Sequence, residues 1–183
     1  MRTHVALLRG INVLGRNQVA MPELRSLVSS LGHTDVATYI QSGNVVFSSH
    51  ESDTRLLGVG LQQAISDRLN LKPNVVVLSR HDLAKVIADN PFPAEKDGKC
   101  LHAVFSSTEI TSERVSAIAA AQSRAQARGS RDEACVVGRI LYLHTPDGFG
   151  RSDLVAQLLR SGRDQGTARN WTTVTKLLTL LDE

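Results

Sequence analysis

Apolar positions along this chain come in short runs and helical stripes, separated by glycine- and asparagine-bearing turns. Residues 3–9 (Thr-His-Val-Ala-Leu-Leu-Arg) read as a short buried strand. The following loop, Ile11 to Ala20, sits among Gly10, Asn12, Gly15 and Asn17, all tolerant of positive φ. Met21, Leu24, Leu27, Val28 and Leu31 fall at helical spacing, with Pro22 in the first turn and Gly32 just past the last. Val36 to Phe47 predicts a hairpin turning at Gly43-Asn44, which sets Ile40 opposite Phe47 and Gln41 opposite Val46. A helix carries Leu57, Leu61, Ala64, Ile65 and Leu69, weakened at Gly58 and Gly60. Asn74 to Leu78 is a strand, and Ser79 with Asp82 caps a short helix ended by Asn90-Pro91.

The pattern then begins again. Residues 99–105 predict a strand, and Thr111 caps a helix with Val115, Ile118, Ala119 and Ala125 inward. A weakly packed Ala/Gln/Arg/Ser tract (120–131) precedes a hairpin at Gly138-Arg139. Leu154, Val155, Leu158 and Leu159 mark one further helix. Trp171, Val174, Leu177, Leu178 and Leu181 mark the last. An offset of 95 carries Gly43 onto Gly138, strand 4–9 onto 99–104 and helix 53–69 onto 148–164, with little residue identity. This predicts an α+β chain of two tandem ferredoxin-like (split βαβ) halves, residues 1–92 and 93–183, the second lacking a clear fourth strand.

Composition narrows the class. At 183 residues with 42% hydrophobic and 21% charged positions, the chain suits a globular fold and excludes general disorder. No apolar run approaches the roughly 20 residues needed to cross a bilayer. The opening residues lack a signal-peptide apolar region, and two cysteines, Cys100 and Cys135, suit a reducing compartment. The expectation is a cytoplasmic protein. The formal charge is +3, and residues 95–183 are no more lopsided than the rest. The most basic stretch, 151–176, holds Arg151, Arg160, Arg163, Arg169 and Lys176 against Asp153 and Asp164. Aromatics are 4%, too few for base-stacking platforms, so nucleic acid is a subordinate possibility. The electrostatics permit an anionic ligand without demanding one.

Chain direction supplies a candidate site. A strand–helix–strand crossover returns parallel to its first strand, so the ends of strands 1 and 2 leave one sheet edge. Arg9-Gly-Ile-Asn12 and Gln41-Ser-Gly-Asn44 then face one another. Arg9 could hold an anion, with Asn12, Ser42 and Asn44 as neutral donors and Asn17 in the same loop. The structural alternative is that the glycines permit the turns and the asparagines satisfy backbone groups. The segment Thr167–Lys176 is the second polar concentration. There Asn170 reads as an N-cap, and Arg169 and Lys176 stand beside first-turn amides. The alternative there is a capped helix with Trp171 in the core. Arg151-Ser152 carries the same ambiguity.

Sharper chemistry fails. Gly10-Ile-Asn-Val-Leu-Gly15-Arg16-Asn17 imitates a phosphate loop but lacks its lysine and hydroxyl. Cys100-Leu-His102 and Cys135 make no zinc pattern, and the six histidines are dispersed. Ser42 lacks a nucleophile elbow. Asp132-Glu133 reads as a solvated turn rather than a metal site. No metal or cofactor is expected, and the catalytic residues, if any, are unknown.

Several segments carry a family resemblance: Leu8-Arg-Gly-Ile-Asn-Val13, Asn17, Met21, Thr38-Tyr-Ile-Gln-Ser-Gly-Asn-Val-Val-Phe47, Gly150-Arg-Ser152 and Arg169-Asn-Trp-Thr-Thr-Val174. From about Arg2 to about Leu180 the chain resembles the bacterial family labelled domain of unknown function 1697. The resemblance implies an α+β fold of two ferredoxin-like halves, and no activity, cofactor or catalytic residue. Val13-Leu14, where a further glycine is expected, and Gly58/Gly60 depart from the pattern. Three functions follow as alternatives: a module binding a small phosphate- or carboxylate-bearing ligand, an enzyme of unassigned class at that pocket, or a protein-interaction or assembly module. For the enzyme, the titratable groups nearest in sequence are His4, His33 and Asp35. Oligomeric state and ligand identity are not legible.

Overall fold

The computed structural model describes residues 1–13, 16–160 and 166–183. The sequence readings at Leu14, Gly15, Arg163 and Asp164 fall outside the described residues. The chain has a mixed α+β fold with two four-stranded antiparallel sheets, each with helices.

The first sheet is built from β1 (His4–Arg9), β2 (Thr34–Tyr39), β3 (Asn44–Ser48) and β4 (Asn74–Ser79), in the order β2-β3-β1-β4. Helix α1 (Met21–Ser30) lies between β1 and β2 in sequence, α2 (Thr54–Leu69) between β3 and β4, and α3 (Arg80–Ala88) follows. Ala6, Leu8, Val45, Phe47, Val75 and Val77 line one face, and Leu24, Leu27, Val28, Leu57, Leu61 and Ile65 from the two helices pack on it. Val5 and Leu7, on the other face of β1, are equally buried. A strand buried on both faces reads as a continuous apolar run, which is why residues 5–8 show no alternation. Each fully buried aliphatic or aromatic side chain here contributes about 1.5–3 kcal/mol.

Local signals place the helices as expected. Asp53 caps α2 by accepting from the N–H groups of Arg55 and Leu56 at 2.8 and 3.1 Å. Asp82 N–H donates to Ser79 Oγ at 3.0 Å while Ser79 Oγ–H donates to Asp82 Oδ2 at 2.8 Å, opening α3. Gly58 is not merely a weak point in α2. A Cβ there would lie 3.2 Å from the Val75 carbonyl oxygen, so the glycine lets the helix approach β4.

The first hairpin departs from the expected register. Tyr39 pairs with Asn44, Thr38 with Val45 and Ala37 with Val46, so Ile40 to Gly43 form a four-residue connection. Ile40 and Gln41 therefore face neither Phe47 nor Val46. The reason lies in Asn44, which is fully buried and donates from Nδ2 to Tyr39 O and to Ser42 Oγ, both at 3.0 Å. Asn44 belongs to the strand and closes the turn from within it.

The second sheet contains β5 (Leu101–Phe105), β6 (Glu133–Val137), β7 (Ile140–His144) and β8 (Thr167–Asn170), in the order β6-β7-β5-β8. Helices α4 (Ser112–Gln126) and α5 (Asp153–Arg160) accompany it, with one 3₁₀ turn at Phe149–Arg151, and α6 (Trp171–Asp182) follows β8 in the chain. The Gly138-Arg139 turn stands as expected, with Val137 opposite Ile140. Two readings need correction. The tract 120–131 is not loose at its start: α4 runs through Gln126, and Ala121 and Ala125 are core residues beside Ile118. The second half also has its fourth strand. It escaped pattern reading because its buried positions are Thr167 and Arg169, polar residues where a strand signal needs apolar ones.

By contacts the chain forms two compact units, Met1–Lys85 with Thr175–Glu183, and Val86–Val174. The division falls inside α3 and inside α6. Among the described residues no helix is long and apolar enough to cross a membrane.

Candidate functional site

In the first unit, β1 and β2 both run antiparallel to β3 and hence parallel to each other, so their C-terminal ends share an edge. The two polar segments do meet there. Leu8 N–H donates to Gly43 O at 2.8 Å, and Asn12 Nδ2 donates to Gln41 O at 2.9 Å. Arg9 ends β1 opposite Asn74.

The amides at this edge are already engaged. Asn12 Nδ2 also donates to Val19 O at 3.0 Å, and its Oδ1 accepts from Val19 N–H at 2.8 Å. Asn17 Nδ2 donates to Gly10 O at 2.7 Å. Both hydrogens of the Asn44 amide go to Tyr39 O and Ser42 Oγ. Asn12 and Asn17 adopt φ of 53° and 51°, a left-handed conformation that asparagine accepts more readily than most residues. These side chains build the loop, and Arg9 is a cationic residue at this edge.

The histidines named for an enzyme lie at the far end of the same sheet. His4 opens β1, whereas Arg9 closes it, and His33 precedes β2. Both rings pack near Phe47, with centroids 5.8 and 4.9 Å away. Burial lowers the pKa of each, and His33 lowers that of His4 further. Asp35 pairs with Arg2 at 3.3 Å. Sequence proximity to Arg9 did not translate into spatial proximity because a strand carries its two ends apart.

In the second unit, Arg169 is buried. Its Nη1 donates to Thr167 Oγ1 at 2.7 Å and Ala168 O at 2.8 Å, and burial pushes its pKa down to about 10. Asn170 is the N-cap of α6, its Oδ1 accepting from Thr173 N–H at 2.8 Å. Lys176, which falls in the other unit, pairs with Glu183 at 3.6 Å. Arg151 lies in the 3₁₀ turn beside a cavity of about 270 Å³ that also meets Arg128, Asp147 and Asp153. Charges there are matched within the protein: Arg128 pairs with Asp153 at 3.0 Å and Arg131 with Asp147. Asp132 is not a solvated turn residue. It is 3% exposed, and its Oδ2 accepts from Ser152 Oγ at 2.8 Å while Ser152 Oγ accepts from Val155 N–H to cap α5.

The better-formed concavity lies elsewhere. A cleft of about 260 Å³ opens where β5 ends and α4 begins. Its floor is Val104, Ile118 and Leu141, all buried in the core, with Ile110 packed against them. Its polar lining is Ser106, Ser107, Thr108 and Thr111, and its charged lining is Arg114, Glu109 and Glu113. Thr111 Oγ1 accepts from Arg114 N–H at 3.2 Å and so fixes the start of α4. Nη2 of Arg114 is buried, whereas Glu109 and Glu113 are exposed. Sequence reasoning passed over this segment because it holds no glycine and no motif. Its signal was positional: it follows the first strand of the second half, as Arg9–Asn12 follows that of the first.

His144 lies at the opposite end of β7 from this cleft, between Glu95 at 2.9 Å and Glu133 at 3.4 Å. The Asp97 backbone N–H, with His144, holds the Glu95 carboxyl below its ordinary range. Among the described residues no group of three or more His, Cys, Asp and Glu could hold a metal ion.

Fold and cleft together define an α+β protein with two four-stranded antiparallel sheets and a small amphipathic concavity at a strand end. Residues 1–142 match the family described as "Protein of unknown function (DUF1697)", and the chain belongs to that family. The match stops short of the resemblance read from sequence, leaving Gly150–Ser152 and Arg169–Val174 beyond it. The chain is similar in fold to a conserved bacterial protein, SP0830, from Streptococcus pneumoniae. The TM-score is 0.74 at 24% identity, covering 98% of each chain. No curated protein matches it.

Proposed function

We propose that this chain is a binding module for a small phosphate- or carboxylate-bearing ligand, built on two ferredoxin-like repeats, residues 1–92 and 93–183. The repeat is supported by a shared element order and by matching sheet orders, β2-β3-β1-β4 and β6-β7-β5-β8. The observation that carries the ligand is the cleft at the end of β5: an apolar floor, a hydroxyl lining and one arginine converge on about 260 Å³. Concave apolar sites with a few placed polar groups are where small molecules bind, and this volume suits one below drug size. Arg114 is the charge partner for the anionic group, with Ser106, Ser107 and Thr108 as hydroxyl donors. A second reading keeps the same chemistry at Arg9. It is favoured by the meeting of the two loops through Asn12 and Gln41, with Asn12, Asn17, Ser42 and Asn44 shaping the loop.

A thermal-shift screen of the full chain against inorganic phosphate, sugar phosphates and small carboxylic acids tests this. A ligand present at about 100 times its Kd stabilises the native state by about 2.7 kcal/mol, a shift that is easily read. Loss of the shift in Arg114→Ala assigns the cleft, and loss in Arg9→Ala assigns the first edge. No shift with any of these compounds overturns the reading.

A further inference from the structure

Where α4 ends, β6 begins and α5 starts, the chain forms the cavity of about 270 Å³ beside Arg151. Local chemistry builds it. After α4 the chain turns at Gly129, whose φ is 88°, and Ser130 N–H returns to Ala125 O at 3.1 Å. Asp132 N–H then donates to Ser130 Oγ at 3.1 Å, and the Asp132 carboxyl meets the start of α5. One of its oxygens, Oδ2, accepts from Ser152 Oγ at 2.8 Å. The other, Oδ1, has no hydrogen-bond partner among the described residues, although Asp132 is 3% exposed and lines the cavity. A carboxylate oxygen this deeply placed is costly to leave without a donor, so Oδ1 is an acceptor held ready for one in the cavity.

The other charges decide what kind of donor suits it. Arg128 Nη1 binds both oxygens of Asp153, at 3.3 and 3.0 Å, and Arg131 binds both oxygens of Asp147. Arg151, exposed at the rim in the field of Asp147, has no side-chain hydrogen bond or ion pair among the described residues. Three arginines thus stand with three aspartates, and the site as a whole is neutral. An ammonium seated on Asp132 would lose its hydration at a nearly sealed carboxylate, a large cost for one ion pair. An anion seated on Arg151 would stand among three carboxylates. A hydroxyl group avoids both penalties: it gives its hydrogen to Asp132, accepts from a guanidinium and adds no charge. Ser130 Oγ, an acceptor from Asp132 N–H, keeps its own hydrogen for a second ligand oxygen.

We infer that this cavity is a second binding site, for a neutral polyhydroxyl compound of monosaccharide size. One hydroxyl donates to Asp132 Oδ1 and a neighbouring one accepts from Arg151. The site is separate from the cleft at the end of β5, and neither reading depends on the other.

Titration calorimetry of the full chain with D-glucose, D-ribose and myo-inositol tests it, with propylammonium, acetate and glycine as charged comparisons. At least one of the three neutral compounds should bind, and at least about tenfold tighter than any charged one. Asp132→Asn keeps the side chain's shape but sets an amide N–H where the ligand's hydroxyl donates, and should abolish that binding. Arg151→Gln, at an exposed position, should weaken it about tenfold, the worth of one charged hydrogen bond. It is the deciding variant if the melting temperature shows that Asp132→Asn does not fold. Arg114→Ala should leave the binding unchanged. The inference is overturned if none of the three neutral compounds binds, or if propylammonium, acetate or glycine binds as tightly. Binding undiminished in Arg151→Gln overturns it too, and so does loss of binding in Arg114→Ala, which would place the compound in the other cleft.

Discussion

Asn12 holds Gln41 across 29 residues of sequence, its Nδ2 donating to the Gln41 carbonyl at 2.9 Å. The same side chain bonds both backbone groups of Val19, so one amide ties the exit of β1 to the far side of its own loop and to the exit of β2. A residue placed to donate to a ligand would keep hydrogens in reserve; this one has committed them.

Asn12→Ala should therefore cost stability. It removes three hydrogen bonds, each with a net worth of about 1 kcal/mol, and it places an alanine at positive φ. The expected loss is about 2–4 kcal/mol, read as a lower urea midpoint with unchanged m. Asn12→Asp, which keeps the acceptor but loses both donated bonds, should fall between the two.

Two glycines at hairpin turns offer a matched comparison. Gly43 has φ of 76°, and a Cβ there would lie 2.8 Å from both Leu8 Cβ and Ile11 Cδ1. Gly138 has φ of 57° and nothing within 4 Å. Gly138→Ala should cost about 1 kcal/mol from conformation alone. Gly43→Ala adds overpacking and should cost about 3 kcal/mol or more. Equal losses in chemical denaturation would contradict this account of the first turn.

Ile40 stands at φ of 49° and is 51% exposed, a β-branched residue in the left-handed region. The conformation costs about 1–2 kcal/mol, and the exposed side chain recovers little of it. Ile40→Asn should raise stability by about 1 kcal/mol and the melting temperature by a few degrees. An unchanged or lower melting temperature would show that the isoleucine earns its place by packing.

His102 stacks on Phe149 with ring centroids 4.0 Å apart, and its buried Nδ1 has no hydrogen-bond partner among the described residues. Burial pushes its pKa down to about 4 from 6.5. Because the folded value is lower, the unfolded chain binds the proton more readily between pH 6.5 and 4, so stability falls as pH falls through that window. Partial exposure reduces the effect to about 2 kcal/mol. His4 and His33, also lowered, act in the same direction. Melting temperatures between pH 7 and pH 4 should drop less steeply for His102→Gln, which cannot charge, than for the natural chain.

Local chemistry settled much of this protein from sequence alone. The Ser79/Asp82 and Thr111 caps, the Asn170 cap, the Gly138-Arg139 turn and the parallel course of β1 and β2 each depend on residues within a turn or on the handedness of a crossover. Such signals are complete within a short window, so pattern and propensity suffice to read them. Tertiary structure alone decided the rest. The first hairpin's register turned on a fully buried Asn44 amide, and β8 formed although its buried side chains are Thr167 and Arg169. The cleft needed Leu141 of β7 brought beside Val104 of β5 and Arg114 of α4, a convergence made by strand pairing. Periodicity reports which face a residue occupies; which other residues share that face is set by packing between distant segments, and no local window contains it.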